Sequence, residues 1–271
     1  MEKTVIYYHL NHQCFGTRYF GQYASEFAKM IGYKYREYLL NENDIFKTTN
    51  KDRVNEDKIN ENKIYFPDTL IVDDIKIVYP GTAEELFVLY NLRDPLHGGE
   101  KYKQLPLRKP DFIRPINEDI SGIADICSVG MNKNNFQQRI KWLKEQGKLT
   151  NQLSGFIAYR RDKLVALVEF IREDKCIYPL PEKREDFLFI TCLYNFPGLY
   201  YEYRPFLFKN LLEFASENKY KGVSVIAGLN TTSPNGPVCF FSDLDFQGRV
   251  YLDRVLMRYY WEDLFFLEYR I

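Results

Sequence analysis

The chain has no net charge: 37 basic side chains balance 37 acidic ones over 271 residues. A neutral chain has no long-range pull on phosphate, which argues against a nucleic-acid binder driven by bulk charge. Cysteine is sparse and scattered (Cys14, Cys127, Cys176, Cys192, Cys239), odd in number and without a Cys-x-x-Cys pair, so no disulfide framework is expected. No apolar run approaches the ~20 residues of a membrane span. The N-terminus lacks the basic region, long apolar stretch and small-residue cleavage site of a secretion signal. A reduced, cytoplasmic protein with no membrane partner is therefore expected. Tryptophan (2) and methionine (4) are few, whereas tyrosine (22) and phenylalanine (21) bring the aromatic share to 17% and the hydrophobic share to 45%. That content excludes general disorder. The length suits two small domains or one large one.

The first stretch reads as β-α-β, an interruption, then β-β-α. Residues 4–10 form a β-branched and aromatic strand. A helix from Thr17 would place Tyr19, Tyr23, Phe27 and Met30 or Ile31 on one face. Residues 35–40 read as a second strand, and the polar stretch 41–63 as a solvated helix or insertion. Two short strands, 69–72 and 75–79, flank Asp73 and Asp74, a two-residue hairpin signal. Thr82 and Glu85 have capping-box spacing ahead of a helix carrying Leu86, Phe87 and Tyr90. Residues 93–110 are rich in proline and glycine with little periodicity, which is linker chemistry. The expected division is 1–92, a linker at 93–108, and 109–271.

The second stretch begins with a short strand at Phe112 and Ile113, then helices over 118–129 and 135–146. A meander follows over 155–159, 164–171 and 187–194, whose last member is apolar on both faces as a central strand should be. Pro205 suits the first turn of a helix running to about Asn218. Strands are expected at 223–227 and, as a final long one, at 249–260.

That order of elements, with the stretches 155–159 and 187–195, resembles the GNAT family of N-acetyltransferases over residues 109–271. The resemblance implies an α/β (α+β) fold, a mixed sheet with flanking helices, and acetyl-CoA as co-substrate. In that family the central strand and the next one splay apart, and the pantetheine arm pairs with the freed backbone. On this mapping Cys192, Leu193, Tyr194 and Phe196 line the arm, while Gly198 and Arg204 lie at the diphosphate loop before the helix. The loop departs from the family pattern: Tyr200, Tyr201 and Tyr203 stand where close backbone approach is expected, and Glu202 would repel phosphate. The position of the family's proton-donating tyrosine is Phe241, so Tyr251 or Cys239 would have to substitute. Asn230 matches a frequent family asparagine. Glu169 on the meander, or Asp186 or Glu185 through water, are the candidate bases.

His12, Cys14 and Thr17 between the first strand and helix, with Pro67 ahead of the hairpin, resemble a thioredoxin-like domain with a monothiol Cys-x-x-Thr stretch. The pairing with an acetyltransferase resembles YoaP-like bacterial proteins, with the order of the domains reversed. A helix N-terminus would stabilise a Cys14 thiolate. A metal site at His9, His12 and Cys14 is not expected.

The leading expectation is an acyl-CoA-dependent N-acetyltransferase acting on a small-molecule or peptide amine. One alternative is a non-catalytic ligand- or partner-binding protein with an altered CoA site; another is a thiol-redox protein acting through Cys14.

Overall fold

The computed structural model describes residues 3–9, 20–39, 56–79, 81–92, 96–97, 102–116, 144, 147–148, 150, 153–196, 198–231, 234–257 and 259–271. Cys14, the 118–129 helix and nearly all of the 135–146 helix lie outside the described residues.

The first part runs β1 (Thr4–His9), α1 (Phe20–Met30), β2 (Lys34–Leu39), α2 (Glu56–Asn62), β3 (Asp68–Val72), β4 (Ile75–Val78) and α3 (Ala83–Asn91). Asp73 and Asp74 take φ of 45° and 66°, the left-handed pair that a two-residue β3–β4 turn needs. Thr82 and Glu85 form the expected reciprocal capping box on α3. Of the face expected for helix α1, Phe27 is buried and Ile31, just past the helix, packs against the same core, while Met30 is exposed; Ala24 and Ala28 complete the buried side. The two small alanines let the helix lie close, and Phe27 meets Tyr90 of α3 edge-on at 5.7 Å.

A short β5 (Leu96–His97) leads to β6 (Phe112–Ile116), β7 (Gly155–Arg160), β8 (Lys163–Arg172), β9 (Phe187–Asn195), α4 (Arg204–Glu217), β10 (Gly222–Gly228), α5 (Val238–Ser242), β11 (Gln247–Met257) and β12 (Tyr260–Arg270). The single final strand expected at 249–260 is instead two, β11 and β12, paired antiparallel. No Gly, Pro, Asn or Asp marks the turn between them, and Glu262, Asp263 and Glu268 interrupt the apolar run of β12.

The strands form one mixed sheet in the order β2-β1-β3-β4-β11-β12-β10-β9-β8-β7-β6, with β5 paired to β12. The first part joins the second where β4 and β11 pair in parallel, Ile77 with Leu256 and Val78 with Met257. Lys76 and Asp253 form an ion pair across this junction. One core packs α4 on β7–β10 through Leu207, Phe208, Leu211 and Phe214. A second unites Tyr8, Phe66 and Val78 with Phe189, Val255 and Phe266. The two parts of the sheet therefore share buried apolar surface as well as backbone pairing.

Candidate functional site

Strands β9 and β10 run parallel and pair from Phe187–Gly222 to Ile190–Val225. That end is pinned. Buried Glu173, on the turn after β8, accepts from Arg184 Nε at 2.7 Å and Nη2 at 2.9 Å, and from Ser224 Oγ at 2.6 Å. Arg184 also reaches Glu268 at 2.9 Å and stacks on the Phe187 ring at 3.5 Å. The approach here is close enough to require glycine: a Cβ on Gly222 would lie 2.4 Å from the Tyr269 carbonyl oxygen and from the Phe187 ring.

The other end opens. Glu169 pairs with Cys192 and Phe170 with Ile190, so Thr191 is an extra residue that bulges β9 away from the ladder. Beyond it β9 continues to Asn195 and β10 to Gly228 with no pairing between them. The gap is not empty of protein. The Leu193 N–H donates to Asn235 Oδ1 at 3.1 Å, and Asn235 Nδ2 donates to the Ile226 carbonyl at 3.1 Å. One buried carboxamide thus bridges the two separated strands as a piece of extra backbone would.

The start of α4 faces the mouth of this gap. No side chain caps it from Tyr203. Instead Glu202 turns its carboxylate onto the first turn: Oε1 accepts the Arg204 backbone N–H at 3.1 Å and Nε at 2.8 Å. Its Oε2 accepts Arg204 Nη2 at 2.6 Å and the Tyr102 hydroxyl at 3.0 Å. Burial alone would raise the Glu202 carboxyl, but the hydrogen bonds and charge of Arg204 outweigh it and hold the group below its ordinary range. Burial, then the Glu202 charge, pushes the Tyr102 hydroxyl up to about 12. Arg204 also donates to the Asn235 carbonyl at 3.2 Å and lies 4.0 Å above the Phe240 ring.

Residues 102–110 run beside this loop. Glu202 N–H donates to the Pro106 carbonyl at 3.0 Å and Arg108 N–H to the Glu202 carbonyl at 3.2 Å. The Tyr102 N–H donates to the Asn230 carbonyl at 3.2 Å, and the Asn230 N–H to Glu262 Oε1 at 2.9 Å. Burial raises the Glu262 carboxyl above its ordinary range. Asn195 closes the loop onto β9, donating to the Tyr201 carbonyl at 3.0 Å and accepting from the Tyr203 N–H at 3.3 Å.

Of the residues singled out in the sequence, Cys192 and Leu193 lie on β9 beside the gap, with Tyr194 exposed next to them and edge-on to Phe196 at 5.8 Å. Arg204 is at the start of α4, and Gly198 is exposed with φ of 78°. Glu169 is buried on β8 opposite Cys192. Asn230 lies two residues beyond β10 and contributes its backbone; the asparagine in the gap is Asn235, which sequence reasoning missed because Asn235 and Gly236 read as turn chemistry. Asp186 is not brought to the gap. It precedes the pinned end of β9 and pairs with Lys221 at 2.6 Å, whose hydrogen bond keeps it ionised. Glu185 is exposed beside it. Tyr251 lies on β11, with β12 and β10 between it and the gap, and meets Phe265 at 5.7 Å. Phe241 is fully buried, and Cys239 is exposed on α5. Tyr102 joins the site from far along the chain, which no local pattern signals. Among the described residues no helix is long and apolar enough to cross a membrane.

No protein-family model matches the chain, and no curated protein matches it. Among solved structures it is similar to a ribosomal-protein-alanine N-acetyltransferase from Brucella melitensis: 15% identity, TM-score 0.43, covering 59% of this chain and 99% of that one. It is also similar to a candidate acetyltransferase from Salmonella typhimurium, solved with its cofactor acetyl-CoA: 14% identity, TM-score 0.42, covering 59% and 92%. A third is an N-acetyltransferase from Staphylococcus aureus, at 16% identity and TM-score 0.39, covering 59% and 97%. At identities and scores this low, the chemistry of this cleft is read from its own strands and side chains.

Proposed function

We propose that residues 109–271 form an acyl-CoA-dependent N-acetyltransferase domain that acts on a small-molecule or peptide amine. The observation that carries this reading is the β9–β10 pair, which separates beyond Ile190 at the Thr191 bulge and turns the Leu193 amide into the gap. An extended pantetheine arm, with its own amides, pairs with such freed backbone as an added strand does. Cys192, Leu193, Tyr194 and Phe196 flank the arm, and Arg204 faces the charged end of the donor. Backbone N–H groups of β9 polarise the thioester carbonyl. The amine nitrogen attacks that carbon, the C–N bond forms and the C–S bond breaks. The amine loses its proton to water or a carboxylate, with Glu169 the carboxylate nearest the bulge in the ladder. The departing thiolate takes a proton from water, since Phe241 has none to give.

Residues 1–92 are proposed as a thioredoxin-like accessory domain, with 93–108 as the connector. The support is the strand order β2-β1-β3-β4, with β1 and β2 parallel and β3 and β4 antiparallel. The test of the enzymatic reading is release of free CoA thiol from acetyl-CoA across a panel of amines and peptides. Amine-dependent release supports it; no release above the buffer rate across the panel overturns it.

A second reading, a non-catalytic binding domain on the same scaffold, is favoured by one observation: Asn235 and Glu202 occupy the places where a donor's amide and phosphates would be recognised. Millimolar acetyl-CoA that leaves the melting temperature unchanged would select it over catalysis.

A further inference from the structure

We propose that Glu262 selects the acceptor: the free oxygen of its carboxylate receives a second positive group on the amine substrate, which makes that substrate a diamine or another amine with a further cationic centre. The acceptor role rests on the acyl-CoA reading of the gap. Glu262 is 0% exposed, and its Oε2 has no hydrogen-bond partner. Its Oε1 accepts the Asn230 N–H at 2.9 Å, so the carboxylate lies against the chain leaving β10 with one oxygen left over. Among the described residues no cation pairs with it; Arg254, on the adjacent strand, is taken by Asp263 at 2.7 Å. A carboxylate withdrawn from water is costly unless a partner supplies charge and hydrogen bonds.

The sheet leaves this carboxylate uncovered by a strand. On one side of β12 runs β11; on the other, β5 pairs with Tyr260 and Trp261 and β10 begins at Leu264. Glu262 and Asp263 fall in the break between β5 and β10. Leu229, Asn230 and Asp263, the neighbours there, are only half-buried, so a cation reaches the free oxygen by displacing side chains that already meet solvent. Tyr102, whose N–H donates to the Asn230 carbonyl at 3.2 Å, ties the break to the mouth of the gap. Strand alternation puts Glu262 on the face of Leu264 and Phe266, and Glu169 on the face of Leu167 and Ile171, which is the same face, opposite α4. The β9–β10 gap thus opens between the strands that carry the two carboxylates. An ammonium brought to Oε2 supplies three donors and a charge, and offsets the burial that raises the Glu262 carboxyl. The nitrogen that attacks the thioester must be neutral, so a group held as a cation by Glu262 is a second one on the same molecule.

The experiment is calorimetric titration of the full chain with cadaverine and with pentylamine, which share a five-carbon chain and differ by one ammonium, repeated on Glu262→Gln and Asp263→Asn. Glutamine keeps the shape and the acceptor for the Asn230 N–H but removes the charge; the Asp263 variant removes a neighbouring charge that already has its cation. The expected result is cadaverine bound roughly tenfold tighter than pentylamine, the scale of one charged hydrogen bond, with that preference lost in Glu262→Gln and kept in Asp263→Asn. Cadaverine bound no tighter than pentylamine by the unaltered chain overturns the proposal whether or not a variant folds. So does a preference that survives in Glu262→Gln, or one lost equally in Asp263→Asn. Acetyl-CoA titrated separately reads the underlying claim: no binding by the unaltered chain overturns the acyl-CoA reading, whichever way the amines divide.

Discussion

Truncating Asn235 to alanine removes a side chain that links β9 to β10 beyond Ile190. Its two bonds, from the Leu193 N–H and to the Ile226 carbonyl, are both 3.1 Å. Leu193 is 2% exposed, Ile226 1% and Asn235 3%, so the freed backbone groups meet little water. An unmatched buried donor or acceptor costs about 1–3 kcal/mol. Two of them set a ceiling of about 6 kcal/mol, and water entering the opened gap brings the expected loss to about 2–4 kcal/mol. Asn235→Asp sharpens the test. It keeps an acceptor for Leu193 but sets a carboxylate oxygen against the Ile226 carbonyl, so at neutral pH it should lose at least as much as alanine. Urea unfolding reads both variants as a lower midpoint at unchanged slope. A loss below about 0.5 kcal/mol for alanine, the scale of an ordinary surface change, would refute the bridging role. So would an aspartate variant as stable as the parent.

Three further outcomes follow from the same structure. Glu202 is held below its ordinary 4.5, so its contribution to stability is present above that pH and lost as pH falls through the lower folded value; Glu202→Gln should flatten the acid limb of a stability–pH curve. Asp68 has the opposite sign: burial, only partly offset by the Tyr7 hydroxyl at 2.5 Å, pushes its carboxyl up to about 8. Its contribution is therefore full below its ordinary 3.8 and lost as pH rises through 8, and Asp68→Asn should remove a fall in urea midpoint between pH 5 and pH 8. At the β4–β11 junction, Lys76→Met leaves half-buried Asp253 without its cation and should cost about 1–2 kcal/mol, between the values for exposed and fully buried pairs, read by thermal unfolding.

What the sequence carried well were features fixed by short-range chemistry. The left-handed turn of Asp73 and Asp74, the Thr82–Glu85 box and the doubly apolar β9 each depend on residues a few positions apart, and each appears where expected. Strand β12 was hidden because charged residues break its alternation; Glu262 is nonetheless buried, accepting the Asn230 N–H. On α1 the apolar spacing found Phe27 and Ile31 but missed Ala24 and Ala28, whose apolar signal is weaker than that of exposed Met30, although small residues are what close packing against a sheet selects. The site was harder for a different reason. The charge of Glu202 was visible, but its partners include Tyr102, 100 residues away, and Arg204, which a local reading reserves for phosphate. Likewise nothing local tells a turn asparagine from one that spans two strands.

Hydrogen–deuterium exchange of the full chain with and without saturating acetyl-CoA tests most directly whether the β9–β10 gap receives the donor. Slower exchange should appear in peptides covering residues 191–196, where the arm pairs with β9. Binding seen by calorimetry with protection confined to other parts of the sheet would contradict the placement of the donor in this gap.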